Sequence, residues 1–257
     1  MEFSEKQNKK DRQRYIEFWE NEYLEQIYYL ITTDTQKMLD GFKTKEEIRK
    51  DWEGYLGKET SDFAVGSERI FYWLFNQFGI PNSSPVGSDL FFETYNAYIH
   101  IDIKTVTLAN IGDFTKNIAV EDNQNSYSGE IEIRGKNNRP YKGHLPTFYT
   151  KTNGQKKVCL TYFLIILYNE QNLDIQAIVL CCMPNGDLNT IYGNKILAAG
   201  KIPGKIRFNY VSSNFLLLEE KSRVKIIRWN DKMDESVRNK LGSLNKINEI
   251  QEKYESL

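Results

Sequence analysis

Residues 87–105 decide the fold, and they read GSDLFFETYNAYIHIDIKT. Two apolar runs in this stretch are separated by the short polar segment 93–96, and that pattern predicts a β-hairpin. Successive side chains of a strand point to opposite faces of its sheet, so one face of the second strand carries Ile99, Ile101 and Ile103. Three isoleucines on one face predict that this face is buried in a hydrophobic core.

The opposite face of the same strand carries His100, Asp102 and Lys104. If the first strand pairs back on the second, Asp89 comes close to the aspartate and the lysine. Two carboxylates and a lysine on one sheet surface form an arrangement that can bind a divalent metal ion beside a phosphate ester. The alternative is a salt bridge between Asp102 and Lys104 on an amphipathic edge strand, which stabilises a protein very little.

Length and composition favour one globular domain over residues 1–257, with a hydrophobic content of 40% and a formal net charge of −1. This charge gives no global attraction to a polyanion, so a nucleic-acid site must come from local clustering. Three cysteines without metal-ligand spacing predict reduced, buried thiols. No signal peptide or membrane-spanning segment is expected, and the abundance of Lys, Asn and Ile favours a bacterial, cytoplasmic protein.

Apolar residues at helical spacing predict helices before the hairpin. One or two helices are expected over residues 4–39, with a break at 32–34, and another over residues 44–56. A third helix is expected to run from Gly66 to Gly79, with Glu68 in its first turn. That glutamate is either a carboxylate that stabilises the helix N-terminus or an additional acid that faces the hairpin.

Two continuous apolar runs, 158–168 and 173–183, predict a hairpin of central strands that are covered on both faces. Later elements are a short helix over 187–199, strands near 208–210, 215–218 and 224–229, and a polar helix over 231–254.

The segment between Lys104 and the first apolar run is rich in Gly, Pro, Asn and Thr, and it predicts loops with short strands near 118–120 and 130–133. A compact domain rarely contains so long an irregular segment unless the segment has a function. Every charged side chain from Arg134 to Lys157 is basic. A DNA-contacting insert and an ordinary solvated surface loop both remain open for this region.

Asp89, twelve intervening residues and then Asp102-Ile103-Lys104 resemble the PD-(D/E)xK motif of the restriction-endonuclease-like nucleases. Ser88 stands where the family usually has proline. The resemblance covers residues 66–127 and implies an α/β restriction-endonuclease-like core, with a central mixed β-sheet flanked by helices and a helical N-terminal part. It divides the chain into that helical part (1–60), a catalytic core (66–127) and a DNA-recognition insert (123–157).

The same resemblance implies a Mg²⁺ site, with Mn²⁺ as a substitute. Its ligands would be Asp89, Asp102 and the backbone carbonyl of Ile103, and Glu68 would serve a second metal ion or a water molecule. Lys104 would stabilise the phosphate, because two neighbouring carboxylates favour its charged form. His100 is expected to pack or to contact the DNA backbone.

Asn and Gln can read adenine edges, and Arg and Lys read guanine or hold phosphates. The insert therefore supplies the candidate DNA-binding residues, which are Asn123, Gln124, Asn125, Ser126, Tyr127, Arg134, Lys136, Asn137, Asn138, Arg139 and Lys142.

The expected function is that of a type II restriction endonuclease, which hydrolyses double-stranded DNA at a specific sequence. Palindromic sites are read by two-fold symmetric proteins, so a homodimer is expected. A methyltransferase for the same site would be its companion activity, without binding to this chain. The alternatives are a structure-selective repair or junction nuclease of the same fold and a DNA-binding module without catalysis. Only two histidines are present, His100 and His144, which argues against HNH chemistry.

Overall fold

The computed structural model describes residues 5–56, 63–75, 80–81, 89–133, 136–200, 206–210 and 222–255. Its helices are α1 (Glu5–Thr33), α2 (Thr35–Leu56), α3 (Phe63–Leu74), α4 (Gly112–Thr115), α5 (Leu188–Tyr192), α6 (Glu235–Lys240) and α7 (Ser243–Glu255). Its strands are β1 (Ile80–Pro81), β2 (Leu90–Glu93), β3 (Ala97–Thr107), β4 (Ile118–Val120), β5 (Ser128–Ile133), β6 (Lys136–Lys142), β7 (Phe148–Thr150), β8 (Lys156–Tyr168), β9 (Ile175–Met183), β10 (Leu197–Ala199), β11 (Ile206–Phe208) and β12 (Val224–Trp229). No helix in these described ranges is both long and apolar enough to cross a membrane.

A mixed sheet forms the centre of the fold, with the described strands in the order β1-β2-β3-β8-β9-β12 and with β7 paired to β8. The strands β3 and β8 run parallel, in register from Ala97 opposite Val158 to Thr107 opposite Tyr168. The other pairs of this sheet are antiparallel. Two smaller sheets, β10-β11-β4 and β5-β6, complete the strands. The structure thus confirms the predicted α/β architecture with a central mixed sheet.

Both faces of the central sheet are covered, which explains the continuous apolar sequences of β8 and β9. One face packs against the N-terminal helices, through residues that include Ile27 of α1 and Phe71 of α3. The other face packs against α4, β11 and the C-terminal helices, through residues that include Phe114 of α4, Phe208 of β11 and Val237 of α6. Buried on both faces, these strands need apolar side chains at every position rather than at alternate ones.

The predicted break in the N-terminal helical region is confirmed, since α1 ends at Thr33 and α2 begins at Thr35. The second helix starts nine residues earlier than the predicted Thr44. The third helix starts at Phe63 instead of Gly66 and ends at Leu74 instead of Gly79, so its predicted limits were displaced. The residues 76–79 lie outside the described ranges.

The prediction of a helix over 187–199 was largely wrong. Helix α5 ends at Tyr192, and the following Gly193 adopts a positive φ of 64°, a conformation that L side chains rarely adopt. Residues from Leu197 then form β10, whose partner Phe208 is contributed by β11. That strand covers 206–208 instead of the predicted 208–210.

The C-terminal polar helix is divided in two. Gly242 has a φ of 50° and separates α6 from α7. The helical pattern of the sequence therefore forms two helices instead of one continuous helix. The predicted strand near 224–229 is confirmed as β12. The predicted strand near 215–218 falls outside the described residues.

Helix α1 is fixed to the sheet by a buried ion pair between Glu20 and Arg223, whose side chains are 0% and 1% exposed. The Oε2 atom of Glu20 lies 2.8 Å from Nη1 of Arg223, and its Oε1 accepts a 2.6 Å hydrogen bond from the backbone amide of Asn185. The hydroxyl of Tyr162 donates to the backbone carbonyl of Glu20 at 2.9 Å. Three separate parts of the chain therefore converge on one helical position.

Candidate active site

The β2–β3 hairpin positions the predicted acids as the sequence pattern indicated. Leu90 pairs with Ile101, which places the preceding residue, Asp89, beside the middle of β3. The backbone amide of Ile103 donates a 2.6 Å hydrogen bond to Oδ2 of Asp89. The alternating isoleucines of β3 belong to the core on the helical side of the sheet, so Asp102 and Lys104 point to the opposite face.

Asp102 is nearly enclosed, with 4% of its surface exposed. Its Oδ1 accepts a 2.8 Å hydrogen bond from Nε2 of Gln124. Its Oδ2 contacts the ammonium group of Lys104, and among the described residues this buried oxygen has no hydrogen-bond donor of suitable geometry. One carboxylate oxygen is therefore held by a neutral donor, while the other faces a cation.

Lys104 is suited to meet a negatively charged group. Its side chain is 27% exposed, so the ammonium group reaches solvent while it contacts Asp102. The same ammonium lies 5.9 Å from the ring centre of Phe163, on the neighbouring strand β8. The aromatic ring limits where the flexible lysine side chain can go, and the charge stays at the mouth of the site.

The carboxylates of this site repel one another. Although Asp89 is exposed as a residue, its carboxylate folds back against the backbone of Ile103, and loss of hydration raises its pKa to about 6. The charge of Asp102 raises this pKa further, the hydrogen bond from Ile103 lowers it, and the charge of Glu68 raises it. As the pH falls below about 6, Asp89 therefore gains a proton and loses its capacity to bind a cation.

A divalent ion would relieve this repulsion, and the donors present fit one that prefers oxygen. Mg²⁺ is commonly held by one or two carboxylates, with the remaining positions filled by water and phosphate oxygens. Asp89 and Asp102 supply the two carboxylates, and the buried Oδ2 of Asp102 is in contact with the ammonium group of Lys104. Within the described ranges, no three His, Cys, Asp or Glu side chains form a group that could hold an ion.

Glu68 was expected from the sequence to serve a second metal ion or a water molecule, and this role stays a prediction. It lies close enough for its charge to raise the pKa of Asp89. The described structure does not, however, bring it into a common three-acid cluster with Asp89 and Asp102. Its position on α3 leaves it an electrostatic neighbour of the site.

His100 packs inside the protein. It is 3% exposed, and its ring lies 4.9 Å from that of Phe91 on β2. Burial lowers its pKa to about 4, so the ring is neutral at physiological pH. A neutral, enclosed imidazole of this kind fits the packing role that was considered from the sequence.

Three residues of the expected recognition loop point into the protein, which is a correction to their assignment as DNA contacts. Gln124, Asn125 and Tyr127 are each at most 1% exposed. Asn125 donates to the hydroxyl of Tyr141 at 2.9 Å, and Tyr127 donates to the backbone carbonyl of Glu130 at 2.7 Å. Their polar groups have hydrogen-bond partners elsewhere inside the fold, and base edges cannot reach them in this arrangement.

The other candidates lie on the β5–β6 hairpin or just before it. Asn138 and Lys142 are exposed on β6 and Arg139 is half-buried between them. Arg134 lies outside the described residues, and only the backbone of Lys136 and Asn137 is described. Asn123 and Ser126 are half-buried, and the Ser126 hydroxyl donates to the carbonyl of Gly186 at 3.0 Å.

Gln124 is the site residue whose contact the sequence did not reveal. A short 3₁₀ turn covers Asp122–Gln124, and Glu121 and Gln124 form a reciprocal capping box around it. The spacing of Glu121 and Gln124 resembles a capping box, which predicts a turn. This spacing does not predict the hydrogen bond to Asp102, which lies 22 residues earlier in the chain.

Two models of protein families match the chain. The model of the N-terminal domain of the type II restriction enzyme MwoI matches residues 13–172, and the model of the central domain of the same enzyme matches residues 175–228. No curated protein matches the chain significantly by sequence.

Two solved structures share the fold. The restriction endonuclease BglI, solved with its DNA recognition sequence, has a TM-score of 0.60 and 14% identity over 79% of this chain and 90% of its own. The tetrameric restriction endonuclease SfiI, solved with cognate DNA, has a TM-score of 0.62 and 14% identity over 86% of this chain and 87% of its own. Since the first MwoI model alone matches more than half of the chain, the protein belongs to the MwoI family of type II restriction enzymes.

Proposed function

We propose that this restriction enzyme performs its site-specific DNA cleavage at Asp89, Asp102 and Lys104, with Mg²⁺ as the metal ion. The observation that carries this proposal is the convergence of two carboxylates and one lysine on a single face of β3 and its neighbour. The raised pKa of Asp89 adds support, because crowded carboxylates favour a bound cation.

Each residue then has a defined task. Asp89 and Asp102 would hold the ion, with the backbone carbonyl of Ile103 as a further proposed ligand. A bound ion would polarise the scissile phosphate and lower the pKa of a bound water molecule. Lys104 stabilises the negative charge that develops on the phosphate oxygens, and Glu68 increases the negative potential around the ion. Mn²⁺ prefers similar oxygen donors and is expected to substitute.

The exposed side of the β5–β6 hairpin is the proposed DNA-contacting surface. Asn138, Arg139 and Lys142 lie along β6, and Arg134, Lys136 and Asn137 are near them in sequence. Asn123 and Ser126 border the same region. Basic side chains hold phosphates, whereas amides can read base edges. The buried residues Asn125 and Tyr127 support this hairpin from inside, through the hydroxyl of Tyr141 and the backbone carbonyl of Glu130.

Replacing Lys142 with alanine is expected to weaken binding to all DNA sequences alike and to reduce the slope of log K against log salt concentration by about 1. The reason is that loss of one phosphate contact removes the release of about one counterion. Fluorescence anisotropy in EDTA at several salt concentrations measures this slope. Lys232→Ala, at another exposed position, is the control and should leave it unchanged. An unchanged slope for Lys142→Ala would show that Lys142 is not part of the DNA-contacting surface.

One domain and a symmetric assembly complete the proposal. The two family models meet between residues 172 and 175, within the turn that joins β8 and β9. These two strands pair over most of their length and share one core, which supports a single domain over residues 1–257. We also propose a homodimer, which would read a palindromic site, and a companion methyltransferase that acts on the same DNA site without binding this chain.

Digestion of phage DNA tests the activity and the metal ion together. With Mg²⁺, the wild-type enzyme is expected to give a fixed set of fragments, and prior methylation by the companion activity should protect the DNA. Mn²⁺ should replace Mg²⁺, and EDTA should leave the DNA intact. Random degradation, or fragments that form in EDTA, would contradict the proposed chemistry.

A further inference from the structure

We infer that Gln124 is a positioning residue for Asp102, and that it determines which carboxylate oxygen is available to the metal ion. The inference rests on the proposed function, because it concerns the same metal site. It goes further by assigning a role to a residue that contacts neither the metal ion nor the DNA.

Both ends of the Gln124 amide are engaged. Its Oε1 accepts a 3.0 Å hydrogen bond from the backbone amide of Glu121, and its Nε2 donates 2.8 Å to Oδ1 of Asp102. A backbone N–H can only donate, which fixes the oxygen of the side-chain amide toward Glu121 and leaves the NH₂ group for the aspartate. The orientation of Gln124 is therefore determined by the turn in which it lies.

The carboxylate of Asp102 is thereby made asymmetric. Its Oδ1 is occupied by Gln124, whereas its buried Oδ2 contacts the ammonium group of Lys104. A neutral donor fixes the carboxylate through Oδ1 without adding a second positive charge to that of Lys104, which contacts Oδ2, so the negative charge is left for the metal ion and the lysine to share. A lysine or arginine at position 124 would compete with the metal ion for that charge. An amide is the suitable group for this task.

The same turn supports the β5–β6 hairpin. Asn125 follows Gln124 directly, and its Nδ2 donates 2.9 Å to the hydroxyl of Tyr141 on β6. The backbone carbonyl of Asn125 accepts from the amide of Leu145 at 3.1 Å. A small set of buried hydrogen bonds thus fixes both Gln124 and the hairpin that precedes β7, which keeps the Asp102 contact in place.

Gln124→Met tests the inference, because methionine has a similar length but can neither donate to Asp102 nor accept from Glu121. Partners of metal ligands typically contribute about 10- to 100-fold to affinity or activity. We expect Mn²⁺ binding in the absence of DNA, followed by electron paramagnetic resonance, to weaken by about that factor. The Mg²⁺ concentration for half-maximal cleavage should rise in parallel, while DNA affinity in EDTA stays within about threefold, since Gln124 contacts no DNA.

Two further variants make the result decisive. Gln124→Asn keeps an amide that is too short to span both partners, and it should give the same metal defect if the methionine variant does not fold. Gln176→Met is the matched control, because Gln176 also donates from a largely buried side chain, to the carbonyl of Asp174, on a strand two positions away from β3. It should bind Mn²⁺ as the wild type does.

Wild-type Mn²⁺ binding and metal dependence in a folded Gln124 variant would overturn the inference. A loss of DNA affinity in EDTA would also overturn it, because Gln124 would then act through the hairpin. Asp102→Asn distinguishes these failures from failure of the proposed site. If that variant abolishes metal binding and Gln124→Met does not, only the positioning role is wrong, whereas normal metal binding by both variants would remove the site itself.

Discussion

Asp102→Asn is expected to lower the rate of DNA cleavage by about 10³-fold or more, while DNA binding in EDTA remains near the wild-type value. The substitution preserves the shape of the side chain and removes its charge. The buried Oδ2 of Asp102 is the proposed metal ligand, and the ammonium group of Lys104 depends on the same charge for its position. One substitution therefore weakens both the metal site and the cation that faces the phosphate.

Single-turnover cleavage of a duplex that contains the recognition sequence gives the rate, and anisotropy in EDTA gives the affinity. Asp231→Asn, at an exposed position before α6, is the matched control and should cleave normally. If Asp102→Asn cleaves DNA at the wild-type rate, the catalytic centre lies elsewhere in the chain. If it loses DNA binding in EDTA as well, Asp102 supports the fold of the DNA-contacting surface instead.

Glu20→Gln is expected to lower the free energy of unfolding by about 3–5 kcal/mol. Arg223 would remain buried without a counter-charge, since its Nη1 pairs with Glu20 and its side chain is 1% exposed. The substitution also weakens the acceptor of the Asn185 amide. Urea denaturation followed by circular dichroism measures the change, and the loss should appear as a lower midpoint with an unchanged slope.

Two comparisons test the cause of this loss. The double variant Glu20→Leu with Arg223→Met should recover most of the stability, because removal of both buried charges leaves no unpaired ion. Asp34→Asn removes a partner of Lys37 on the surface, where the lysine is 64% exposed, and it should cost less than about 1 kcal/mol. If Glu20→Gln and Asp34→Asn lower the free energy of unfolding equally, the burial of the Glu20–Arg223 pair does not make its loss more costly.

The elements that could be predicted from sequence are those whose pattern is local. The two-residue period of residues 97–107 gave the faces of β3, and with them the positions of Asp102 and Lys104. The polar break near Asp34 separated α1 from α2. Asp89 could be placed beside β3 because a tight hairpin leaves little choice of register.

The predictions that differed from the structure depend on distant contacts. An amide-rich segment on a surface loop and one inside the fold have the same composition, so Gln124 and Asn125 were assigned to DNA. Their partners, Asp102 and Tyr141, lie in other elements. The strand β10 was assigned to a helix because its partner, β11, is contributed by a later part of the chain.

The parallel pairing of β3 with β8 has a consequence for how this enzyme can acquire new specificity. Adjacent parallel strands need a crossover connection, and residues 108–155 form it. The crossover contains the β5–β6 hairpin, and its two ends are held in register by the central sheet. Because Phe114, Ile118 and Tyr127 of this crossover lie in the hydrophobic core, we expect sequence changes to be tolerated at the exposed positions of the β5–β6 hairpin and not throughout the crossover.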